Sequence, residues 1–371
     1  MAPSQRHFAS EHPPHFAKKA AAGHRTERGA EMVERKAQVS RGALIVLATG
    51  LLTAAAAAVA ASSALGLIKP PGPLSREVYE RPDRLVTLPD HRRLNLRCMG
   101  RGSPTVILES GFGASSQGWG MTQPRIAAQT RVCAYDRAGY GFSDPGPMPR
   151  DGAAIARDLD NGLKAAGVSG PLVVVGHSAG GLYARLFAAR RPKDVVGLVF
   201  VDTSVEHQTE RFQTVFGPKA GSLDGLQRRV LRCQKLTTDP RTATDDVELL
   251  ACAPVTLDPH ARQVALRPAT WQTQSSELDN LFTTTSDEVD RIGSLLKDVP
   301  AIVLTAGKSD GVAAGPDDPG AMVWEQMHHK LAAGFLRGDQ RVVKSSHLMM
   351  NDRADVVAGA VIELVRAARK R

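Results

Sequence analysis

The sequence predicts an α/β fold in which a mostly parallel sheet is covered by helices on both faces. Short, apolar, β-branched runs alternate with helical patterns from about residue 84 to residue 368. One strand–turn–helix unit, residues 171–190, has a glycine-rich turn at its centre. The alternation breaks once, between residues 205 and 285, where helical segments follow one another without a convincing strand.

The expected elements follow from the period of the apolar residues. The candidate strands are residues 84–88, 94–98, 105–109, 131–135, 172–175, 196–201, 301–305 and 341–344. The candidate helices around them are residues 122–129, 152–166, 179–190, 288–297, 319–335 and 354–368. The interrupted region has helical segments at residues 223–236, 245–252 and 268–282. We interpret residues 205–285 as a helical cap inserted after strand six into a core formed by residues 83–204 and 286–371.

The N-terminal region differs in composition from this core. Residues 1–41 are polar and lack an apolar period, which is typical of a disordered tail. Residues 42–68 carry no charge, and as a helix they would be about 40 Å long against ~30 Å of membrane hydrocarbon. Basic residues precede this span, which predicts a cytoplasmic N-terminus and an exported body. A signal-anchor helix is preferred; a cleaved signal peptide and a soluble alanine-rich helix remain open. Residues 69–82 contain four prolines and are expected to form an extended linker.

The charge distribution argues against a nucleic-acid partner. The formal net charge is +9, but residues 1–41 hold eight lysines and arginines against four acidic residues, so +4 of it lies in the tail. The rest of the positive charge is spread thinly, without a dense basic run. Hydrophobic content of 42% and charged content of 23% are ordinary for a globular protein.

The strand–turn–helix unit carries the most specific motif. An apolar run at residues 172–175 leads into Gly176-His177-Ser178-Ala179-Gly180, and a helical pattern follows directly. A Gly-x-Ser-x-Gly turn between a strand and a helix is the context of a nucleophile elbow, where a serine is presented on a sharp, strained turn. The sequence therefore predicts Ser178 as a catalytic nucleophile.

A serine hydroxyl needs a base, and a histidine held by a carboxylate is the usual arrangement. Of the 11 histidines, His347 lies in the loop between the last candidate strand and the final helix. That loop is expected at the edge where the parallel strands end, so His347 is the predicted base. The acid is open between two residues at the same edge. Asp310 follows strand seven and is preferred, whereas Asp202 ends strand six and is also suited to cap a loop.

The predicted reaction also needs donors for an oxyanion. One is the backbone N–H of Ala179, which follows the serine. The other is expected from the loop after strand three, Glu109-Ser110-Gly111-Phe112-Gly113, where the glycines allow the backbone to turn inward. The N–H of Phe112 is the predicted donor.

Four stretches together resemble the α/β-hydrolase superfamily over residues 84–368. ESGFG is similar to its oxyanion loop, with Ser110 where many members have a histidine. CAYDRAGYGFSDP resembles its Asp-x-Arg-Gly-x-Gly-x-Ser turn, GHSAG its elbow, and SSHLMMNDRADVV its Gly-His ending. The resemblance implies strand order 1-2-4-3-5-6-7-8, an antiparallel second strand and a Ser–Asp–His triad. Some members take the acid from strand six, which keeps Asp202 open. The family's epoxide hydrolases and haloalkane dehalogenases use an aspartate nucleophile, so close kinship in mechanism with them is not implied.

The four cysteines include no CxxC pair, so a zinc site is not expected. Cys233 and Cys252 flank one stretch of the cap, and a disulfide between them is left open. The strand order implied by the resemblance places Cys98 beside Cys133. For that pair, two buried thiols are preferred over a bridge.

These features predict a membrane-anchored or secreted serine hydrolase that acts on a small-molecule carboxylic ester without a metal or organic cofactor. Membrane contact is expected only through residues 42–68. The same triad acting on an amide or peptide, on a C–C bond or in acyl transfer is the alternative. A non-catalytic binding member of the fold is disfavoured because both Ser178 and His347 are present.

Overall fold

The computed structural model describes residues 72–243, 246–254, 257–308 and 318–371. These belong to one compact unit, Pro70–Arg371. The predicted tail and the apolar span at residues 42–68 lie outside the described residues. Within the described ranges, none of the helices combines the length and the apolar character needed to cross a membrane.

Eight strands form one sheet in the order β1-β2-β4-β3-β5-β6-β7-β8, which confirms the order implied by the resemblance. Strand β2 is antiparallel to both of its neighbours, and the remaining pairs are parallel. The strands are β1 Arg84–Thr87, β2 Arg93–Met99, β3 Thr105–Glu109, β4 Val132–Tyr135, β5 Leu172–His177, β6 Val195–Val201, β7 Ala301–Ala306 and β8 Gly338–Val343.

The central strands are buried on both faces, as their continuous apolar runs predict. Successive residues of a strand point to opposite faces, so β5 contributes Val174 to one core and Val173 and Val175 to the other. Helices cover both cores. Those packed on the first core are α2 Gly152–Ala165, α3 Gly180–Arg190 and α10 Pro319–Ala333; those on the second are α1 Gln123–Ala127, α11 Met349–Asp352 and α12 Ala354–Arg369.

Between β6 and β7, the described part of the chain forms six further helices, which we call the helical insertion. They are α4 Gln208–Phe216, α5 Asp224–Thr238, α6 Val247–Cys252, α7 Pro259–Ala265, α8 Pro268–Leu281 and α9 Thr284–Asp290. The segments predicted at residues 223–236, 245–252 and 268–282 correspond to α5, α6 and α8. Helices α4 and α7 have no predicted counterpart, and α9 overlaps the helix expected at residues 288–297 only over its last three residues.

Two predicted elements differ from the structure. The helix expected at residues 288–297 is wrong, because α9 ends at Asp290 and turns follow. Gly293 has a φ of +54° there, which a right-handed helix does not accommodate. Strand β8 begins at Gly338, earlier than the expected residue 341. It is an exposed edge strand, so its first residues are polar and lack a strand-like apolar pattern.

All four cysteines are paired. The expectation that Cys98 and Cys133 are buried thiols is wrong, since they form a disulfide. They lie directly opposite each other on the antiparallel strands β2 and β4, with Cα atoms 4.0 Å apart. Cys233 and Cys252 also form a disulfide, which joins α5 to α6 inside the helical insertion.

Candidate active site

Ser178 lies on the sharp turn between β5 and α3. Its φ is +52°, a left-handed conformation that a residue with a side chain adopts at a cost of about 1–3 kcal/mol. The turn packs closely against the end of β3, because a Cβ atom on Gly180 would lie 2.6 Å from the main-chain oxygen of Glu109. Only glycine fits there. The strained turn therefore presents the serine at the edge where the parallel strands end.

The predicted base His347 lies in the loop that follows β8. Its Nδ1 is 2.7 Å from the Oδ2 of Asp202, at the end of β6. Asp310, the preferred candidate for the acid, lies outside the described residues. Of the two candidate acids, Asp202 is therefore the one that the described residues place against the imidazole.

The carboxylate of Asp202 is held in a fixed orientation. It is fully buried, and its residue has a φ of +41°. Its second oxygen, Oδ1, accepts hydrogen bonds from the N–H of Ala306 at 2.9 Å and from Nε1 of Trp324 at 2.8 Å. With Oδ1 occupied in this way, Oδ2 is the oxygen directed at His347.

His177, the residue before the serine, also contacts His347. The two rings are 4.7 Å apart between centroids, and Nε2 of His177 donates to the main-chain oxygen of His347 at 2.9 Å. Burial lowers the pKa of His177 to about 3, with the nearby His347 adding to the effect, so the ring is neutral at neutral pH. Its single proton must then lie on Nε2, since a carbonyl oxygen only accepts. This contact was not predicted, although His177 stands inside the elbow motif.

The two predicted oxyanion donors are main-chain N–H groups of residues that line the same cavity as Ser178. Ala179 follows Ser178, and Phe112 lies in the loop after β3. Among the described residues, no main-chain carbonyl accepts a hydrogen bond from either N–H. Both side chains line the cavity that contains Ser178.

The loop that carries Phe112 is fixed by polar side chains. Nε1 of the fully buried Trp119 donates to the Oγ of Ser110 at 3.0 Å, and this hydroxyl donates to the main-chain oxygen of Ser115 at 3.0 Å. The guanidinium of Arg137 donates to the main-chain oxygens of Ser110 and Gly111 at 2.6 and 2.8 Å. Ser110 thus stabilises the loop through internal hydrogen bonds.

Two adjoining cavities lie at this edge of the molecule. The smaller, about 150 Å³, contains Ser178 and His347. Its wall is mostly apolar and is formed by Phe112, Leu223, Leu226, Leu278, Leu281, Phe282 and Trp324. The larger, about 600 Å³, shares Phe112 and Leu226 with it and includes the charged side chains Arg97, Arg229, Asp136 and Asp258. Within the described residues, no group of His, Cys, Asp or Glu side chains is arranged to hold a metal ion.

The model of the alpha/beta hydrolase family matches residues 106–360, well over half of the chain. The chain belongs to the alpha/beta hydrolase family. A protein of this family from Gibberella zeae, named AB hydrolase superfamily protein, is 34% identical over 131 residues, which are 34% of this chain and 40% of the relative. The chain spans less than half the length of the curated relatives that match first.

Solved structures of alpha/beta hydrolases share this fold. A thermophilic esterase from Thermogutta terrifontis has a TM-score of 0.53 and 19% identity over 76% of this chain and 98% of the esterase. A Pseudomonas aeruginosa protein assigned as an epoxide hydrolase has a TM-score of 0.55 and 19% identity over 77% of this chain and 96% of that protein. At this identity the likeness concerns the fold alone.

Proposed function

We propose that this alpha/beta hydrolase cleaves a carboxylic ester, with Ser178 as nucleophile, His347 as general base and Asp202 as the acid that orients it. The observation that carries the proposal is the contact between His347 Nδ1 and Asp202 Oδ2 at 2.7 Å, beside a serine on a strained elbow. The family membership supports a hydrolytic activity. The ester as substrate class is part of the proposal and is tested with a panel of substrates.

The mechanism follows from these groups. With its Nδ1 proton directed at Asp202, His347 is left with a basic Nε2 that accepts the proton of Ser178 as the hydroxyl attacks the carbonyl carbon. The carbonyl oxygen becomes an oxyanion, which the N–H groups of Phe112 and Ala179 stabilise. The imidazolium then protonates the departing alcohol, and an acyl-enzyme remains. Water, deprotonated by His347, attacks the acyl carbon and releases the carboxylic acid and the free serine.

Active-site labelling tests the nucleophile. A fluorophosphonate probe is expected to modify the purified full-length protein at Ser178, as located by peptide mass spectrometry, because the activated hydroxyl displaces fluoride from phosphorus. The Ser178→Ala variant should remain folded and unlabelled. Failure of a folded wild-type sample to react, or modification at another residue, would contradict the proposed mechanism.

The size of the catalytic cavity predicts a preference for short acyl chains. About 150 Å³ with apolar walls favours esters such as the p-nitrophenyl acetate or butyrate over the octanoate. Leu226 on α5 lines both cavities, so Leu226→Ala is expected to join them and raise the octanoate-to-butyrate ratio of kcat/KM about tenfold, the effect of burying two more methylenes at ~0.8 kcal/mol each. Leu231→Ala, at an exposed site on the same helix, is the matched control and should leave the ratio unchanged. Equal ratios in the wild type and both variants would contradict the assignment of the smaller cavity as the acyl-chain site. A separate panel with an anilide and an epoxide tests whether the substrate is an ester.

We further propose that the folded body acts outside the cytoplasm, with residues 42–68 as anchor or signal. Support comes from the two disulfides, which form and persist in oxidising compartments. Alkaline phosphatase fused after Arg371 should be active in a bacterial host, because it folds only after export. Fluorescence from green fluorescent protein at the same position, with no phosphatase activity, would contradict export.

A further inference from the structure

A buried ionic cluster joins the oxyanion loop to the helical insertion. At its centre is Arg137, which follows β4 and is only 2% exposed. Two carboxylates flank it, Glu109 at the end of β3 and Glu277 on α8, and both are fully buried. None of these three residues has a part in the proton transfers proposed above. Burial of so much charge is costly unless every group is paired, so the arrangement of the partners is informative.

All five N–H groups of the Arg137 guanidinium have an acceptor. Nη1 donates to Glu109 Oε1 at 2.9 Å and to the Ser110 main-chain oxygen at 2.6 Å. Nη2 donates to the Gly111 main-chain oxygen at 2.8 Å and to Glu277 Oε2 at 3.3 Å, and Nε donates to Glu277 Oε1 at 3.2 Å. The planar fork thereby fixes the directions of two consecutive peptide carbonyls of the oxyanion loop.

Because Arg137 holds these carbonyls, peptide geometry also sets the direction of the next N–H in the loop. In a trans peptide the C=O and the N–H lie in one plane and point in opposite directions. The carbonyl of Gly111 points at Arg137, so the N–H of Phe112, which belongs to the same peptide, points away from Arg137. The loop is packed against the nucleophile there, since a Cβ on Gly111 would lie 3.0 Å from Ser178 Cβ. The guanidinium therefore determines which way the predicted oxyanion donor points.

The same guanidinium is held by the insertion. Both oxygens of Glu277 accept from it, and Oε2 also accepts from the Tyr140 hydroxyl at 3.0 Å. The carbon Cζ of Arg137 lies 4.9 Å from the Tyr140 ring centroid and 5.4 Å from that of Tyr183, which fixes the plane of the fork. Leu278, the residue after Glu277, lines the cavity of Ser178. Helix α8 thus contributes both to the cavity wall and to the fixed position of Arg137.

We propose that Arg137 is a positioning residue that orients the Phe112 N–H toward the oxyanion. Because Glu277 on α8 holds the Arg137 guanidinium, this orientation depends on the position of α8. The inference rests on the proposed serine-hydrolase function. The helical insertion then affects the chemical step through Glu277, and it affects substrate binding through the cavity wall.

The test compares Arg137→Lys with Arg150→Lys in the full-length protein. Arg150 is a similarly buried arginine whose Nη2 donates to Asp158 at 2.8 Å. In the described part of the chain its side chain makes no hydrogen bond to the oxyanion loop, so Arg150→Lys controls for replacing a buried, ion-paired arginine by lysine. A lysine cannot hold two adjacent carbonyls and two carboxylates at once. Arg137→Lys is expected to lower kcat for p-nitrophenyl acetate about 10²-fold with KM changed less than about threefold, the effect of a misdirected oxyanion donor. Arg150→Lys should lower Tm about as much as Arg137→Lys does, while its kcat stays within about threefold of the wild-type value.

The affinity for a boronic acid distinguishes a positioning role of Arg137 from a purely structural one. Its tetrahedral adduct with Ser178 places an oxygen in the oxyanion position, so Arg137→Lys should weaken boronate binding in parallel with kcat/KM. Glu277→Gln, which keeps the side-chain shape and removes the charge, should lower kcat about tenfold with KM unchanged. If Arg137→Lys does not fold, this variant tests the inference instead. Folded variants with wild-type kcat and boronate affinity would overturn the inference. Absence of turnover and labelling in the wild type would instead contradict the proposed function itself.

Discussion

Replacing Asp202 by asparagine is expected to lower kcat for a p-nitrophenyl ester about 10⁴-fold, with KM changed less than about threefold. The retained side-chain oxygen can still accept from Ala306 N–H and Trp324 Nε1, so the fold should be preserved. That leaves the new NH₂ group facing Nδ1 of His347, where the carboxylate oxygen stood at 2.7 Å. Nδ1 must then accept a hydrogen bond, the ring proton moves to Nε2, and the imidazole can no longer take the proton of Ser178.

Asp310→Asn is the matched comparison, because Asp310 is the other aspartate that the sequence places at this edge. Its kcat is expected to stay within about tenfold of wild type, with Tm recorded for both variants to exclude unfolding. If Asp310→Asn loses activity by several orders of magnitude and Asp202→Asn does not, the acid is Asp310 and not Asp202.

The second large effect is on stability in acid and comes from His177. Burial lowers its pKa to about 3 in the folded protein, against about 6.5 in the unfolded chain. Between these values the unfolded state binds the extra proton, so the free energy of unfolding falls as the pH falls below 6.5 and levels off near 3. Relative to a variant without this group, the wild type is expected to lose about 3 kcal/mol between pH 7.5 and pH 4.

The variant for this comparison is His177→Gln, whose amide nitrogen takes the place of Nε2 as donor to the main-chain oxygen of His347. Urea unfolding of both proteins at a series of pH values measures the difference. Glu109 has the opposite effect, since burial outweighs the neighbouring Arg137 and raises its pKa to about 7, but it is present in both proteins and cancels. Parallel curves for the two proteins would contradict the prediction.

The fold and the place of the strained serine turn were predictable because their signals are local. A strand, a glycine-flanked serine and a helix occupy 20 consecutive residues, and the alternation of strands and helices limits the sheet to few topologies. His347 followed from chain order, since it is the histidine placed between the last strand and the last helix.

Which aspartate contacts His347 was not predictable from the sequence alone. Asp202 and Asp310 both follow parallel strands that end at the same edge, and chain order does not distinguish them. What directs Asp202 at His347 is its left-handed φ of +41° and two donors from β7 and α10. These arise from tertiary contacts. Cys98 and Cys133 illustrate the same limit, because burial suits a thiol and a disulfide equally and only the register of β2 against β4 sets them face to face.

The direct pairing of β6 with β7 means that the helical insertion between them can be exchanged while the sheet is kept. These strands are hydrogen-bonded neighbours, with Val201 opposite Leu304, so the sheet is complete without residues 208–290. The insertion is in that sense an exchangeable module, and transplanting one from another hydrolase leaves every strand pair intact. The transplant is nevertheless constrained at one point. Unless it brings a carboxylate to the place of Glu277, Arg137 loses two of its acceptors and remains a buried cation at the back of the oxyanion loop. From the proposed role of Arg137, we expect chimeras chosen for cavity shape alone to bind new substrates but to turn them over slowly.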